Sequence, residues 1–520
     1  MGPHRTLPVH TPVIRARTLS LLALAAGVAP LVKAIPAQPN VVVILADDLG
    51  YGDVGCYNPR ARTITPNIDH LAATGLRFTD GHDSDSVCSP SRYSLLTGRY
   101  AWRTSLKKGV LRESAPLLIE ENCDTLAAML KRQGYATAVV GKWHLGLGTG
   151  TDTAKKFASA PDGLKPGPAE RGFDYSFIIP ASANMLPIGY LRNLTPVNGV
   201  DGSASPPFGQ WPVTKGNGRY PAPLGYDAGA VAPGIDPQYD AHPGARLRFN
   251  KVLPRLTDEA VNYLSNLTPR KPFFLYFALP SPHTPWVPDI DPADLTDEQL
   301  YLAYVKATDA AVGRVIDALQ RTGAGENTLV LFSSDNGPEL RCFNVARSGH
   351  DPAGGLRGQK SDLYEGGHRV PFIVTWPGHV TAGGSSGMLV STLDLYRTIA
   401  SLVGDQHPSG LMGGEDSYDF SALLLGSAPV TPFRTELVLH SNNGHFGLRQ
   451  GNWVYLDWPG GGGYVDPDRN AEGTPGQLFN LADDVAETHD LYRERYDKVT
   501  QLKAVLNRLQ GADNPPASPR

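Results

Sequence analysis

Residues able to do chemistry gather in short polar segments, several of which close an apolar run. Asp47-Asp48 and Asp335-Asn336 offer carboxylate and amide oxygens, the donors taken by a hard divalent cation such as calcium or magnesium. Either segment alone is an ordinary turn sequence. Because both follow apolar runs, together they make a candidate cation site. Cys88-Ser89-Pro90-Ser91-Arg92, continued by Tyr93-Ser94-Leu95-Leu96-Thr97-Gly98-Arg99, joins a thiol to a guanidinium. An isolated cysteine is most often a small buried hydrophobe, so the segment draws its interest from its company. Lys142 and His144, His283 between two prolines, and Lys360 add groups that bind anions and move protons.

The elements that must position these residues can be read from hydrophobic pattern. Asn40 to Ala46 is a continuous, β-branched apolar run, the pattern of a fully buried strand. Ala136 to Val140, Phe273 to Ala278, Leu329 to Ser333 and Phe372 to Trp376 are further strand candidates. Helical patterning recurs at Asn67 to Thr74, Thr125 to Gln133 and Asp297 to Arg321, the last with an apolar residue every three or four positions. Strands alternating with helices predict an α/β fold, a large mostly parallel sheet sandwiched by helices. Such sheets bind ligands beyond the carboxyl ends of their strands, which is where Asp47, Asp48, Lys142, His144, His283, Asp335 and Asn336 fall. The stretch 154–254, rich in Pro and Gly, is expected to be a loop excursion over the active face. From Glu436 short strands followed by a helix from Asp490 to Leu509 predict a smaller C-terminal α+β subdomain, 436–520, behind a catalytic domain spanning 38–435.

Composition narrows the function classes. Hydrophobic residues are 41% and charged residues 19% of the chain, as in a globular protein. With 47 Lys+Arg against 51 Asp+Glu there is no broad basic excess, so nucleic acid is not an expected partner. Residues 1–37 read as an export signal, with Arg5, Arg15 and Arg17 before an apolar run from Leu19 to Ala29 and small residues at Ala34 and Ala37. The run is shorter than the roughly 20 residues that span a bilayer, so no stable membrane anchor is expected and the mature protein is placed in the periplasm or outside the cell. The four cysteines, Cys56, Cys88, Cys123 and Cys342, contain no CxxC pair, which argues against a thiolate zinc site. With Cys88 set apart, at most one disulfide can form among the other three.

Taken together, C-x-P-S-R with L-x-T-G-R resembles the signature of the type I sulfatases in the alkaline-phosphatase superfamily. The resemblance runs from Asn40 to the C-terminal helix and includes Gly141-Lys142-Trp143-His144-Leu145-Gly146 as the second signature. It implies that Cys88 is oxidised to formylglycine by a formylglycine-generating enzyme, around export, and that the hydrated aldehyde is the nucleophile. It further implies that Asp47, Asp48, Asp335 and Asn336, with position 88, hold calcium in preference to magnesium. Arg92 then holds the hydrate, Lys142 and Lys360 bind sulfate, His283 and Lys360 serve the leaving group, and His144 takes a proton from the remaining hydroxyl. His350, Arg357 and His368 are expected near the mouth.

A sulfate ester puts charge on its transferring oxygens, so Arg92, Lys142, Lys360 and a cation suit its hydrolysis. Carbohydrate sulfates are the expected substrates, with Tyr190, Arg192, Trp211, Tyr220, Tyr226 and Trp286 as candidate sugar contacts. Two other readings compete: a phosphonate monoester hydrolase or phosphodiesterase of the same superfamily, and a non-catalytic binder of sulfated glycans.

Overall fold

The computed structural model describes residues 1–2, 38–152, 156, 159–182, 185, 189–197, 249–267, 271–290, 295–339, 345–346, 349–427, 432–464 and 473–511. Residues 3–37, Trp211, Tyr220, Tyr226 and Cys342 lie outside them.

In chain order the strands are β1 (Asn40–Asp47), β2 (Leu76–Phe78), β3 (Gly81–His82), β4 (Ala136–Lys142), β5 (Tyr175–Ile179), β6 (Tyr190–Arg192), β7 (Thr195–Val197) and β8 (Phe273–Pro282). They continue as β9 (Thr328–Ser334), β10 (Phe372–Thr375), β11 (Gly384–Ser386), β12 (Val390–Ser391), β13 (Glu436–His440), β14 (Phe446–Gln450), β15 (Trp453–Leu456) and β16 (Gln477–Asn480). Ten of them form one sheet in the order β11-β2-β10-β9-β1-β8-β4-β5-β6-β7. Its centre, β9-β1-β8-β4-β5, is parallel throughout, whereas β10 runs antiparallel beside β9 and β6 and β7 close the far edge antiparallel.

Both faces of this sheet are covered, which explains the unbroken apolar runs. Along β1, Val41, Val43 and Leu45 enter one core layer and Val42, Ile44 and Ala46 the other, all fully buried. Each such side chain contributes about 1.5–3 kcal/mol of transfer free energy for the larger residues. Helices α1 (Pro66–Thr74), α4 (Val252–Ser265) and α5 (Asp297–Arg321) pack on the second layer. Helices α2 (Cys88–Thr97), α3 (Leu126–Arg132) and α6 (Leu395–Val403) pack on the first. Thr296 starts α5 with a capping box: its hydroxyl accepts from Gln299 N at 3.2 Å and Gln299 Oε1 accepts from Thr296 N at 2.8 Å.

Strands β13 to β16 form a separate antiparallel sheet, against which α7 (Tyr496–Gly511) buries Val499, Leu502 and Leu506. This sheet is fastened to the segment preceding α2. His440 N donates to Ser84 O and Ser86 N to His440 O, both at 3.1 Å, and His440 Nδ1 lies 2.9 Å from Asp85 Oδ1. The C-terminal sheet thereby braces the chain two residues before Cys88.

Two expectations about elements are corrected. The 154–254 stretch is not wholly excursion, because β5, β6 and β7 extend the main sheet and α4 starts at Val252. The last helix begins at Tyr496, since the Asp490 carboxylate caps a turn by accepting from Leu478 N at 3.0 Å and Tyr492 N at 2.9 Å. Cys56 and Cys123 are free thiols, within the expected limit of one disulfide.

Candidate active site

The central parallel strands deliver the functional side chains to one end of the sheet. Asp47 is the last residue of β1, and Asp48 turns away in the left-handed region at φ +64°. Between Leu45 and Asp47 the register against β8 slips, so that Asp47 faces Pro282 and His283 follows beside it. Lys142 ends β4 one residue after Gly141, whose φ is +124°; a Cβ there would stand 1.8 Å from Ala278 O on β8. Only glycine lets β4 lie that close to β8. Asp335 and Asn336 follow β9.

Helix α2 presents Cys88 at its first turn and Arg92 one turn on, the same face at four-residue spacing. Unpaired N–H groups at such a terminus favour negative charge. Lys360 comes from the long connection between β9 and β10, and Ser361 beside it is held at φ +86°. Non-glycine residues at positive φ at positions 48, 144 and 361 show where the surrounding structure imposes backbone strain, a mark of functional sites.

These side chains meet. Lys142 Nζ donates to both Asp47 oxygens at 2.8 Å, and Cys88 Sγ lies 3.7 Å from Asp47 Oδ1. Arg92 Nε donates to Asp335 Oδ2 at 2.8 Å and its Nη1 to Lys142 O at 2.9 Å. Lys360 Nζ donates to Asp48 Oδ2 at 2.8 Å, and Asn336 Nδ2 donates to Asp48 Oδ1 at 2.7 Å. His283 Nε2 stands 3.7 Å from Asp48 Oδ2 while its Nδ1 donates to Thr284 O at 2.6 Å. His144 Nε2 donates to Leu111 O at 2.9 Å, which leaves Nδ1 as the lone-pair nitrogen, buried without a hydrogen-bond partner. All ten residues are buried.

Burial and charge set the protonation of the group. Burial raises the Asp47 carboxyl, but Lys142, His283, Arg92 and Lys360 overcome this and hold it below the usual carboxylate range. Burial and the neighbouring Asp47 push Asp335 up to about 6. Burial, with Lys142 and Arg92, holds His144 well below an ordinary histidine, and burial brings His283 down to about 4. Lys360 stays cationic because Asp48 outweighs its burial. The Cys88 thiol is pushed up to about 12 by burial and is therefore neutral, a poor nucleophile as it stands.

The cluster fits a hard divalent cation. One ligand atom each from Asp47, Asp48, Cys88 and His283 lies within 4.8 Å of the others. Asn336 Oδ1 is buried with no hydrogen-bond partner, a donor oxygen without a proton to accept. Asp335, raised by burial and by the like charge of Asp47, adds a third carboxylate to the same buried group.

Several residues expected at the mouth or on the sugar lie elsewhere. His350 is buried with Nε2 2.8 Å from Asp53 Oδ1, which fixes the loop after β1. His368 is buried against His82, their Nδ1 atoms 3.0 Å apart, with Glu365 close by. Arg369 pairs with Glu365 at 3.0 Å and Arg449 with Asp80 at 3.1 Å, so guanidiniums already neutralise that network. Arg357 stacks on Tyr364 and donates to Glu487 O at 2.5 Å, facing the C-terminal subdomain. Tyr190 stacks on Phe177 in the core, Arg192 covers the same ring and pairs with Glu259, and Trp286 is buried against Tyr301. Tyr190 and Trp286 thus pack the interior of the fold, and Arg192 is half-buried over the Phe177 ring. Leu111, whose carbonyl sets the His144 tautomer, had no signal in the sequence, because backbone acceptors carry none.

An α/β sheet with three carboxylates, three cations and a helix-terminal cysteine gathered at its strand ends defines an enzyme built to handle an anionic ester. Residues 39–405 match the family described as Sulfatase. The chain is 30% identical over 494 residues to an N-acetylgalactosamine-6-O-sulfatase of Bacteroides thetaiotaomicron, covering 91% of this chain and 93% of that one. It is 34% identical to human arylsulfatase A, covering 94% and 89%. A solved structure concerned with the metabolism of multiple glycosaminoglycans by Bacteroides thetaiotaomicron superposes with a TM-score of 0.74 at 28% identity, covering 91% of this chain and all of that one. The chain belongs to the type I sulfatase family, within the alkaline-phosphatase-like superfamily. It is a sulfuric ester hydrolase.

Proposed function

We propose that this sulfatase acts on carbohydrate sulfates, using a formylglycine made from Cys88 and a calcium ion held by Asp47, Asp48, Asp335, Asn336 and position 88. The observation carrying this reading is the convergence of Cys88, Arg92, Lys142 and Lys360 on the Asp47, Asp48 and Asp335 carboxylates, with Asn336 Oδ1 left as an unpartnered donor. The carbohydrate part is supported by the similarity to an N-acetylgalactosamine-6-O-sulfatase. When present, the aldehyde hydrate supplies the attacking hydroxyl and the cation supplies positive charge beside it.

The chain's own residues do the rest. Arg92, anchored on Asp335 and on the Lys142 carbonyl, orients position 88. Lys142 and Lys360 bring positive charge to the sulfuryl oxygens. On the leaving-group side Lys360 carries a proton, and His283, its Nδ1 committed to Thr284 O, aims Nε2 at the same place. The leaving alcohol takes its proton from this pair. His144, neutral and with Nδ1 free, is the base that accepts a proton and lets sulfate depart.

The export signal at 1–37 and the lack, among the described residues, of a helix long and apolar enough to cross a membrane support a periplasmic or secreted enzyme. Maturation then requires export machinery and a formylglycine-generating enzyme.

The test is release of sulfate and phosphate from sulfated sugars, aryl sulfates and phosphonate esters. It uses protein whose Cys88 peptide shows by mass the conversion of thiol to aldehyde. Preferential sulfate release from sugars is expected, and Cys88→Ala is expected to lower kcat by at least roughly a thousandfold. Undiminished turnover in that variant overturns the nucleophile, and faster phosphonate cleavage overturns the substrate assignment.

A further inference from the structure

The connection leaving β15 folds back from the C-terminal sheet onto the catalytic domain at Lys360. Leu363 N donates to Gly461 O at 2.7 Å, and Asn442 N donates to Ser361 O at 3.1 Å. Asn443 secures the tip of the same connection, with N donating to Gly462 O and Nδ2 to Gly463 O, both at 3.3 Å. At Gly463 a Cβ would stand 2.3 Å from Ser361 O and 2.6 Å from Asp362 Oδ1, so only glycine allows this approach. The segment is therefore fixed against the residue that follows Lys360.

The next residue is Tyr464. It is 49% exposed, among the few large side chains of the described residues that face solvent. Its backbone follows directly on Gly463, which packs on Ser361, so Tyr464 stands at the turn that carries Lys360. An aromatic ring with one polar tip, exposed on one side and held beside the leaving-group lysine on the other, matches what a sugar needs: an apolar face and a hydroxyl partner. The sulfuryl group must reach the buried cations, so the alcohol portion of the ester lies on the solvent side of Lys360, where Tyr464 stands.

We infer that Tyr464 is a contact for the alcohol portion of the substrate, a subsite lent to the catalytic domain by the C-terminal subdomain, its natural occupant being a polyhydroxylated ring. The choice of occupant rests on the carbohydrate reading above; the contact itself does not.

The experiment compares the KM of the ester with the inhibition constant of inorganic sulfate, in wild type, Tyr464→Ala and Tyr464→Phe. Sulfate occupies the buried cationic part alone, so its inhibition constant is expected to stay within about twofold, while the ester KM in Tyr464→Ala rises roughly tenfold, the size of one aromatic contact. Tyr464→Phe, which keeps the ring, is expected to lie between. An unchanged KM in Tyr464→Ala, or a rise of KM and inhibition constant together, overturns the inference. The carbohydrate reading fails separately, when wild type cleaves aryl sulfates and no sugar sulfate; the same comparison is then made with the aryl ester and decides the contact.

Discussion

Lys360 and His283 both stand beside Asp48, yet they differ in the proton each holds. Lys360 is kept cationic by Asp48, whereas burial leaves His283 neutral down to about pH 4. Lys360→Met is accordingly expected to lower kcat/KM on a sugar sulfate by about 10²–10⁴, the usual worth of a positioned acid. A nitrophenyl sulfate, whose leaving group departs without a proton, loses less. Equal losses on the two esters would reduce Lys360 to a sulfate-binding charge. The carboxylates make a second prediction. Chelation is expected to abolish turnover, and calcium to restore it better than magnesium; the preference follows from the family resemblance, since four oxygen-bearing side chains by themselves fit either ion. Equal rescue by both ions, measured as initial rate after separate add-back, would remove the reason to prefer calcium.

At the scale of elements, the site depends on how closely strands β4 and β8 lie. Gly141 sits at φ +124° with no room for a side chain before Ala278 O. Gly141→Ala must push β8 away or break the pairing, and Lys142 moves with it. A loss of about 2–4 kcal/mol is expected, read as a lower thermal midpoint, together with a fall in kcat. The corresponding change at Gly404, which caps the end of α6 with nothing within 4 Å of its missing Cβ, costs only the strain of its positive φ. A comparable loss at both positions would show that backbone conformation alone, and not the β4–β8 approach, makes Gly141 necessary.

At the scale of the whole molecule, the buried network of His82, His368, Glu365, Asp80, Arg369 and Arg449 joins the main sheet to the C-terminal subdomain. Burial, opposed by Glu365 and reinforced by His82, lowers His368 to about 4 from an unfolded value of 6.5. Between those values the unfolded chain binds a proton that the folded chain does not. The stability tied to His368 is therefore present above pH 6.5 and is lost as pH falls toward 4, by up to about 3 kcal/mol. Denaturant unfolding of wild type and His368→Gln at about pH 7, 5.5 and 4.5 checks this. The gap between the two proteins should change over that window, and parallel pH curves would show that His368 does not titrate on unfolding.

The sequence by itself determined the elements whose signal is local. Buried strands show as unbroken apolar runs, α5 as a long amphipathic period, and the catalytic residues as polar segments directly behind strand ends. Seven of the ten candidate site residues follow strand ends, whereas Cys88, Arg92 and Lys360 could be named through the motifs that resemble the family's. What tertiary structure alone decided depends on groups far apart in the chain. The Pro- and Gly-rich stretch hid β5 to β7, since edge strands of three to five residues carry little periodicity of their own. Tyr190 and Trp286 look alike as core residues or sugar contacts until their neighbours are known, and the structure buries both. His350 and His368 are likewise turned inward by Asp53 and His82, partners almost 300 residues away in the first case. Tyr464 stands at the turn carrying Lys360 only because Gly463 lets one backbone lie against another, and close packing between distant segments leaves no mark in a local pattern.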